Sequence, residues 1–374
     1  MLNKSARRYF KYRLFFAVKS LLLFAVIVPV SIVCAEDGAS AFDVYFTADG
    51  FAYSESKAVK SITGNWDGDL HTGDVTFSVD RAEAGVDWGK WRLGYIKRYD
   101  YYFEYSPDTA ELVHKIKNKI SLVPGEQYDL YLLANTLVAD GLRLSYQQKR
   151  NAFSYDVSLS YLKGERFANG SLHGGAQALS DKDYDFNFDV DYFYSQDKLF
   201  DRVADVPDGD GYAVDIAFDW QMNERLKLGF RANDVVARMY WRDAPRTVAV
   251  ATSDTKEYDQ NGYVIYNPVI SGVETNEDFV QTIPAKLYLS ADYAIDKYSV
   301  DLAYRNYRIK SFYMVGVSTT AYNASSLGFS CNLTAASCGF AYSNAWFRFS
   351  FMTDKLQLQD ARTLELSLSI EHAF

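Results

Sequence analysis

The chain has 374 residues, 48% hydrophobic and 23% charged, with 30 Tyr, 25 Phe, 6 Trp and only 7 Pro. That composition belongs to a folded chain and excludes a disordered tail or a collagen-like repeat. A net charge of −9 leaves no electrostatic footprint for nucleic acid, and no nucleic-acid partner is expected.

Residues 1–35 read as an address. Lys4, Arg7, Arg8, Lys11, Arg13 and Lys19 precede an apolar run, Leu21 to Val33, and Val33-Cys34-Ala35 offers small residues at −3 and −1. This predicts a secretory signal cleaved after Ala35; the competing reading is an uncleaved anchor, for which the run is short against the ~20 residues a bilayer needs. Cleavage removes six basic residues and no acid, so the charge of −9 becomes −15 on residues 36–374. It also removes Cys34. Cys331 and Cys338 remain, and two cysteines in an exported chain point to one disulfide closing a small loop. Two free thiols are the alternative. A metal site is not expected, because no His lies near them in sequence.

From Phe42 onward apolar and polar residues alternate. Phe153, Tyr155, Val157, Leu159 and Tyr161 share one face against Ser154, Asp156, Ser158 and Ser160. Tyr184, Phe186, Phe188, Val190, Tyr192 and Tyr194 alternate with Asp185, Asn187, Asp189 and Asp191. Tyr212 to Trp220 alternate with Asp215 and Asp219, and Leu226, Leu228 and Phe230 with Lys227 and Arg231. Similar rows follow at 285–293 and 345–351. The segments run about 9 to 13 residues, the length of a membrane-spanning strand rather than the ~5–6 of a soluble one. Many end in Tyr or Trp, the residues a membrane–water interface favours.

Short turns are expected at Gly89-Lys90, Ala139-Asp140-Gly141, Met222-Asn223-Glu224 and Asp296-Lys297. Long connections are expected at 55–74, 107–127, 164–182, 197–211, 243–281 and 319–339, with a weak helix over 107–119. The reading is an all-β, antiparallel up-and-down transmembrane barrel of about 14 strands (range 12–16), from Phe42–Ser54 to Thr363–Phe374, occupying residues 36–374.

The last strand carries Leu364, Leu366, Leu368, Ile370, His372 and Phe374 on one face. A terminal aromatic closing an alternating strand resembles the C-terminal signal of bacterial outer-membrane β-barrels. The resemblance implies that Phe374 is read by the outer-membrane assembly machinery and that the protein sits in outer-membrane lipid. His372 departs from the usual aromatic or apolar residue at that position. No narrower family is recognised; neither a trimeric porin start nor an outer-membrane phospholipase signature is present.

In a barrel the inward row carries function. Asp185, Asp189, Asp191, Asp215 and Asp219 are expected on one wall, with Lys227, Arg231, Arg143 and Lys149 on others, setting a transverse field that tunes selectivity in a watery lumen. Lateral pairing of these charges in a closed interior is the alternative. Asp201, Asp205, Asp208 and Asp210 form a loop cluster that could bind Ca²⁺ through oxygens or stand as a solvated turn. The four His, at 71, 114, 173 and 372, form no evident hydrolase constellation, and no cofactor is expected. The expected function is a porin-like channel for small polar or charged solutes, with an export, assembly or surface-interaction barrel as the alternative. A homo-oligomer is compatible with the same alternation.

Overall fold

The computed structural model describes residues 42–373 except 63, 65, 201, 254–255, 266–268 and 321–324. The expected signal, residues 1–35, and Phe374 lie outside the described residues.

The strands are β1 (Phe42–Ser54), β2 (Val75–Trp88), β3 (Trp91–Tyr105), β4 (Gln127–Arg150), β5 (Phe153–Ala178), β6 (Tyr184–Tyr194), β7 (Asp208–Gln221) and β8 (Leu226–Thr252). Then come a two-residue pair, β9 (Glu257–Tyr258) and β10 (Val264–Ile265), followed by β11 (Val269–Thr282), β12 (Lys286–Ile295), β13 (Tyr298–Asn306) and β14 (Ser311–Thr320). β15 (Ser326–Asn332), β16 (Ser337–Ser343), β17 (Phe347–Thr353) and β18 (Thr363–Ala373) complete the set. Two helices, α1 (Val59–Ile62) and α2 (Pro107–Asn118), lie in connections. β18 pairs antiparallel with β1 from Asp43↔Ala373 to Tyr53↔Thr363, which closes the sheet.

Around the circumference there are 14 strands. β6 and β7 together make one wall strand, because both run against β5, interrupted by residues 195–207. β11 and β12 likewise make one, both running against β8 and interrupted at 283–285. Closure matters because lipid offers no hydrogen bonds to an open sheet edge.

Several expected breaks are absent. β4 runs straight through Ala139-Asp140-Gly141, and the irregularity there is a register shift against β5 at Val138/Ala139. β5 continues through residues 164–178, β8 continues to Thr252, and β15 lies within 319–339 while β16 begins there. The turns at Gly89-Lys90, Met222–Glu224 and Asp296-Lys297 are as expected, Gly89 and Asp296 with φ of 61° and 53°. The helix over 107–118 is present, its first turn capped by the Ser106 hydroxyl accepting from Thr109 N.

Exposure assigns the faces. Leu142, Leu144, Val157, Leu159 and Tyr161 are exposed, whereas Ser145, Ser158 and Ser160 are buried in the interior. The exposed apolar row is the lipid-facing belt of an outer-membrane-type barrel. On the side of β3 to β8, charges cap it immediately beyond Tyr95, Tyr161, Tyr212 and Tyr240: Lys97 pairs with Glu165, and Arg242 with Asp208 and Asp210. Beyond this collar β4, β5, β6, β8 and β11 continue as a five-stranded extension.

In the extension the apolar row is covered by the protein itself. Tyr128, Leu130, Phe186, Phe188, Ala249 and Ala251 form one buried cluster with Leu112 of α2 and Leu122, and Phe200 and Val264 pack against it. The row that looked lipid-facing in β6 is thus an extramembrane core.

Candidate functional site: a charged cavity beneath an aromatic ceiling

A cavity of about 1070 Å³ fills the barrel interior and reaches the short-turn end at Gly89, Lys90 and Lys149. Its lining is largely polar and charged because every wall strand turns its non-lipid row inward. Deep in it lie charges from several strands, some of them neighbours and some on opposite sides of the barrel. Arg81 of β2 donates to Asp215 of β7 at 2.7 Å. Arg98 of β3 reaches Asp234 of β8 through both guanidinium nitrogens at 2.8 Å each, and Asp100 at 2.7 Å. Lys286 of β12 bridges Asp234 at 2.5 Å and Asp100 at 3.0 Å. Arg143 of β4 also binds Asp215. Arg81–Asp215, Arg98–Asp234 and Lys286–Asp100 tie one side of the barrel to the other across the lumen, whereas Lys286–Asp234 joins the neighbouring strands β12 and β8.

The position of Asp234 comes from a bulge. The β7–β8 register shifts between Val214 and Ile216, and Asp234 takes φ of 57° in the extra stretch of β8. Asp tolerates this left-handed conformation better than most residues. The bulge places its buried carboxylate among Arg98 and Lys286, and its own N–H donates to Asp215 at 2.7 Å.

Aromatic side chains close the interior toward the long-loop end. Phe51, Phe77, Tyr307 and Phe312 are buried together, with ring centroids 5.0 to 5.9 Å apart. Beside them Trp241 stacks on Phe167 at 4.1 Å and Phe279 on Phe193 at 4.2 Å. Trp241 donates to Gln281 at 3.1 Å, and Gln281 donates to Asn135 at 2.7 Å, which draws the lower end of β11 onto β4.

The sequence-derived candidates divide by depth. Arg143, Asp215, Asp219 and Arg231 line the cavity, and Lys227 pairs with Asp219 at 3.4 Å. Arg143 and Asp215 bind each other, so two residues expected on separate walls of a transverse field are partners. Asp185, Asp189 and Asp191 lie on the extension beyond the collar, outside the cavity. Their strand alternates as expected, but continues above the membrane, where Asp185 pairs with Lys256 and Asp191 with Arg246. Arg81, Arg98, Asp100, Asp234 and Lys286 were not singled out from sequence. The inward row marks the first three and Lys286, whereas only the bulge reveals Asp234.

Cys331 and Cys338 form a disulfide, directly opposite each other on β15 and β16. In the acidic loop cluster Asp201 lies outside the described residues, and Asp208 and Asp210 are held by Arg242. No group of three metal-ligating side chains occurs among the described residues. His114 contacts Lys57 and Asn118, and His173 packs its ring against Tyr131 opposite Asp189. No described helix is long and apolar enough to cross a membrane.

Residues 195–200 and 202 fold back over the outer side of the extension through Asp197. Its buried carboxylate accepts from Leu199 N, Phe200 N, Tyr192 OH and Arg202 Nε at 2.6 to 3.0 Å. Burial alone would push this carboxyl up; the Phe200 amide, Arg202 and Tyr192 hold it below the usual range instead.

No family model matches the chain, and no curated protein matches it. Among solved structures it is similar to a deletion mutant of the TodX monoaromatic hydrocarbon channel, with TM-score 0.38, 10% identity, and 91% of each chain covered. It is also similar to the Pseudomonas putida toluene transporter TodX (TM-score 0.36, 9% identity, 90% and 89% covered). The outer-membrane protease OmpT of Escherichia coli matches at TM-score 0.25 and 8% identity, covering 91% of this chain and 99% of that one. At these distances the likenesses transfer neither substrate nor activity.

Proposed function

We propose that this chain is an outer-membrane transport channel for small polar or charged solutes, closed in this conformation. The observation that carries the reading is the charged cavity spanned by ion pairs between non-neighbouring strands. A structural filler would pair laterally; pairs that cross the lumen bar the path and can exchange partners with a charged solute. Arg231, Lys90 and Lys149 line the same cavity without a carboxylate partner among the described residues, offering counter-charges to an entering anion. Nothing in the reading calls for catalysis.

The aromatic ceiling favours a second reading, a barrel with a permanently occluded lumen that serves an export, assembly or surface-interaction system. Planar-bilayer conductance of the refolded protein separates the two. The channel reading expects rare, small steps from the unmodified chain. Asp215→Asn frees Arg81 and Arg143, and it should give larger steps with increased anion preference. Absence of steps from both proteins, each folded by its heat-modifiable mobility on a gel, would rule the channel out.

A further inference from the structure

We infer that the outer edge of β11 is a docking site for an extended segment of a partner protein, taken up as an additional strand and carrying Lys or Arg side chains. The inference is independent of whether the barrel conducts.

Below the collar the sheet has no edge. The five-stranded extension has two, β4 on one side and β11 on the other. The edge of β4 beyond the reach of β3 is capped by the start of α2. Ser106 N donates to Tyr131 O at 3.1 Å, the Ser106 hydroxyl donates to Asp129 O at 2.5 Å, Asp129 N donates to Asp108 at 2.9 Å, and Tyr131 N donates to Thr109 at 2.9 Å. Four consecutive edge groups are thereby satisfied without a strand.

β11 has no such cover. It pairs with β8 alone among the described residues, and residues 269–278 are all exposed. Ile283 N donates to Ala237 O, so odd-numbered residues of this segment bond to β8. The N–H and C=O groups of Ile270, Gly272, Glu274, Asn276, Asp278 and Val280 therefore face away from the sheet. Among the described residues such a group is taken at the lower end, where Asn135 donates to Thr282 O at 3.1 Å. A long unpaired edge is a template for another strand, and proteins that avoid this blunt the edge with charged side chains, above all Lys, with Pro or with a cover. Val269–Thr282 holds no Lys, Arg, His or Pro.

Charge selects the occupant. Glu274, Glu277 and Asp278 lie on this strand; Arg202 and Arg246 offset the first two, and Asp278 has no cationic partner among the described residues. A second copy pairing antiparallel about Asn276 would set Glu274 against Asp278 twice, and like charges directly opposite are destabilising. A strand with Lys or Arg at alternate positions avoids this clash and sets a cation beside Asp278, on the same face as Glu274.

The test uses the full refolded chain in detergent and two fluorescent seven-residue peptides, one alternating Val or Thr with Lys, the other with Glu in place of Lys. Anisotropy should show saturable binding of the Lys peptide and at least tenfold weaker binding of the Glu peptide. Asn276→Pro removes one outward N–H without touching the β8 ladder and should weaken binding at least tenfold, while Asn276→Ala should leave it unchanged. Methylating alternate amides of the Lys peptide should abolish binding to the unmodified protein, which checks the same point with no mutation. Equal binding by the methylated peptide or by Asn276→Pro, or no saturable binding, would overturn the inference. Concentration-dependent dimers lost in Asn276→Pro would also overturn it, assigning the edge to a second copy.

Discussion

The membrane wall and the five-stranded extension share the same strands, the same alternation and the same aromatic content, yet their apolar rows meet different surroundings. In β5, Val157 and Leu159 are exposed in the lipid belt, while farther along the same strand Leu172 packs against the buried cluster that includes Phe186, Phe188 and Leu112. Alternation states only that one face is apolar. Whether lipid, a helix or a loop covers it depends on height along the barrel axis. Asp191 and Asp185 on the extension pair near the surface, whereas Arg98, Asp234 and Lys286 in the cavity are buried together.

The largest expected effect is at the centre of the cavity. Asp234→Asn leaves Arg98 and Lys286, two buried cations, with Asp100 as their one remaining shared carboxylate and should cost about 3–5 kcal/mol of barrel stability, read as lowered heat-modification temperature. A change at Asp191, paired with Arg246 at the exposed mouth, should cost less than about 1 kcal/mol by the same measure. Comparable loss from both would erase the distinction between the regions.

Next come the apolar rows. Phe188→Ala in the extension removes a buried ring and should cost about 3–5 kcal/mol locally, seen as faster hydrogen exchange in β6 and α2. Leu144→Ala in the belt, where lipid fills the space, should barely register, but Leu144→Arg should cost about 2–4 kcal/mol toward the bilayer midplane. Equal sensitivity of Phe188 and Leu144 to Ala would show that lipid also covers the extension.

Smaller effects sharpen the picture. Reducing the Cys331–Cys338 disulfide should lower stability by about 2 kcal/mol, since the closed loop is short. Asp197 should make the fold-back of residues 195–207 pH-dependent. Its native carboxyl is held below the usual range, so its stabilisation is full above about pH 4 and is lost as pH falls through the lower native value. Proteolytic nicking in 195–207 that rises on acidification, and equally at neutral pH in Asp197→Asn, checks this.

Much of the wall was legible because period 2 is imposed by strand geometry on every residue. The turn at Gly89, the capped helix at 107–118 and the row Leu364–Ile370 follow from local chemistry alone. Reading Ala139-Asp140-Gly141 as a turn failed for a physical reason: Asp and Gly are turn formers, but here Gly141 lies where the backbone of Tyr161 approaches too closely for a Cβ. The loop expected at 243–281 became strand on both flanks because pairing between β8 and β11 overrides the weak local preference of Asp243, which takes φ of 55° at the β-bulge.

Sequence by itself determined the alternating antiparallel architecture, its approximate strand number and which residues share a row, because these depend on a two-residue period and on local turns. Tertiary structure decided which charges meet, since Arg98, Asp234 and Lys286 come from β3, β8 and β12 and no local rule relates them. It also decided what covers each apolar row and which strand edge stays open. Those outcomes depend on closure of the sheet and on bulges that shift facing by one residue, and both are properties of the whole pairing rather than of any segment.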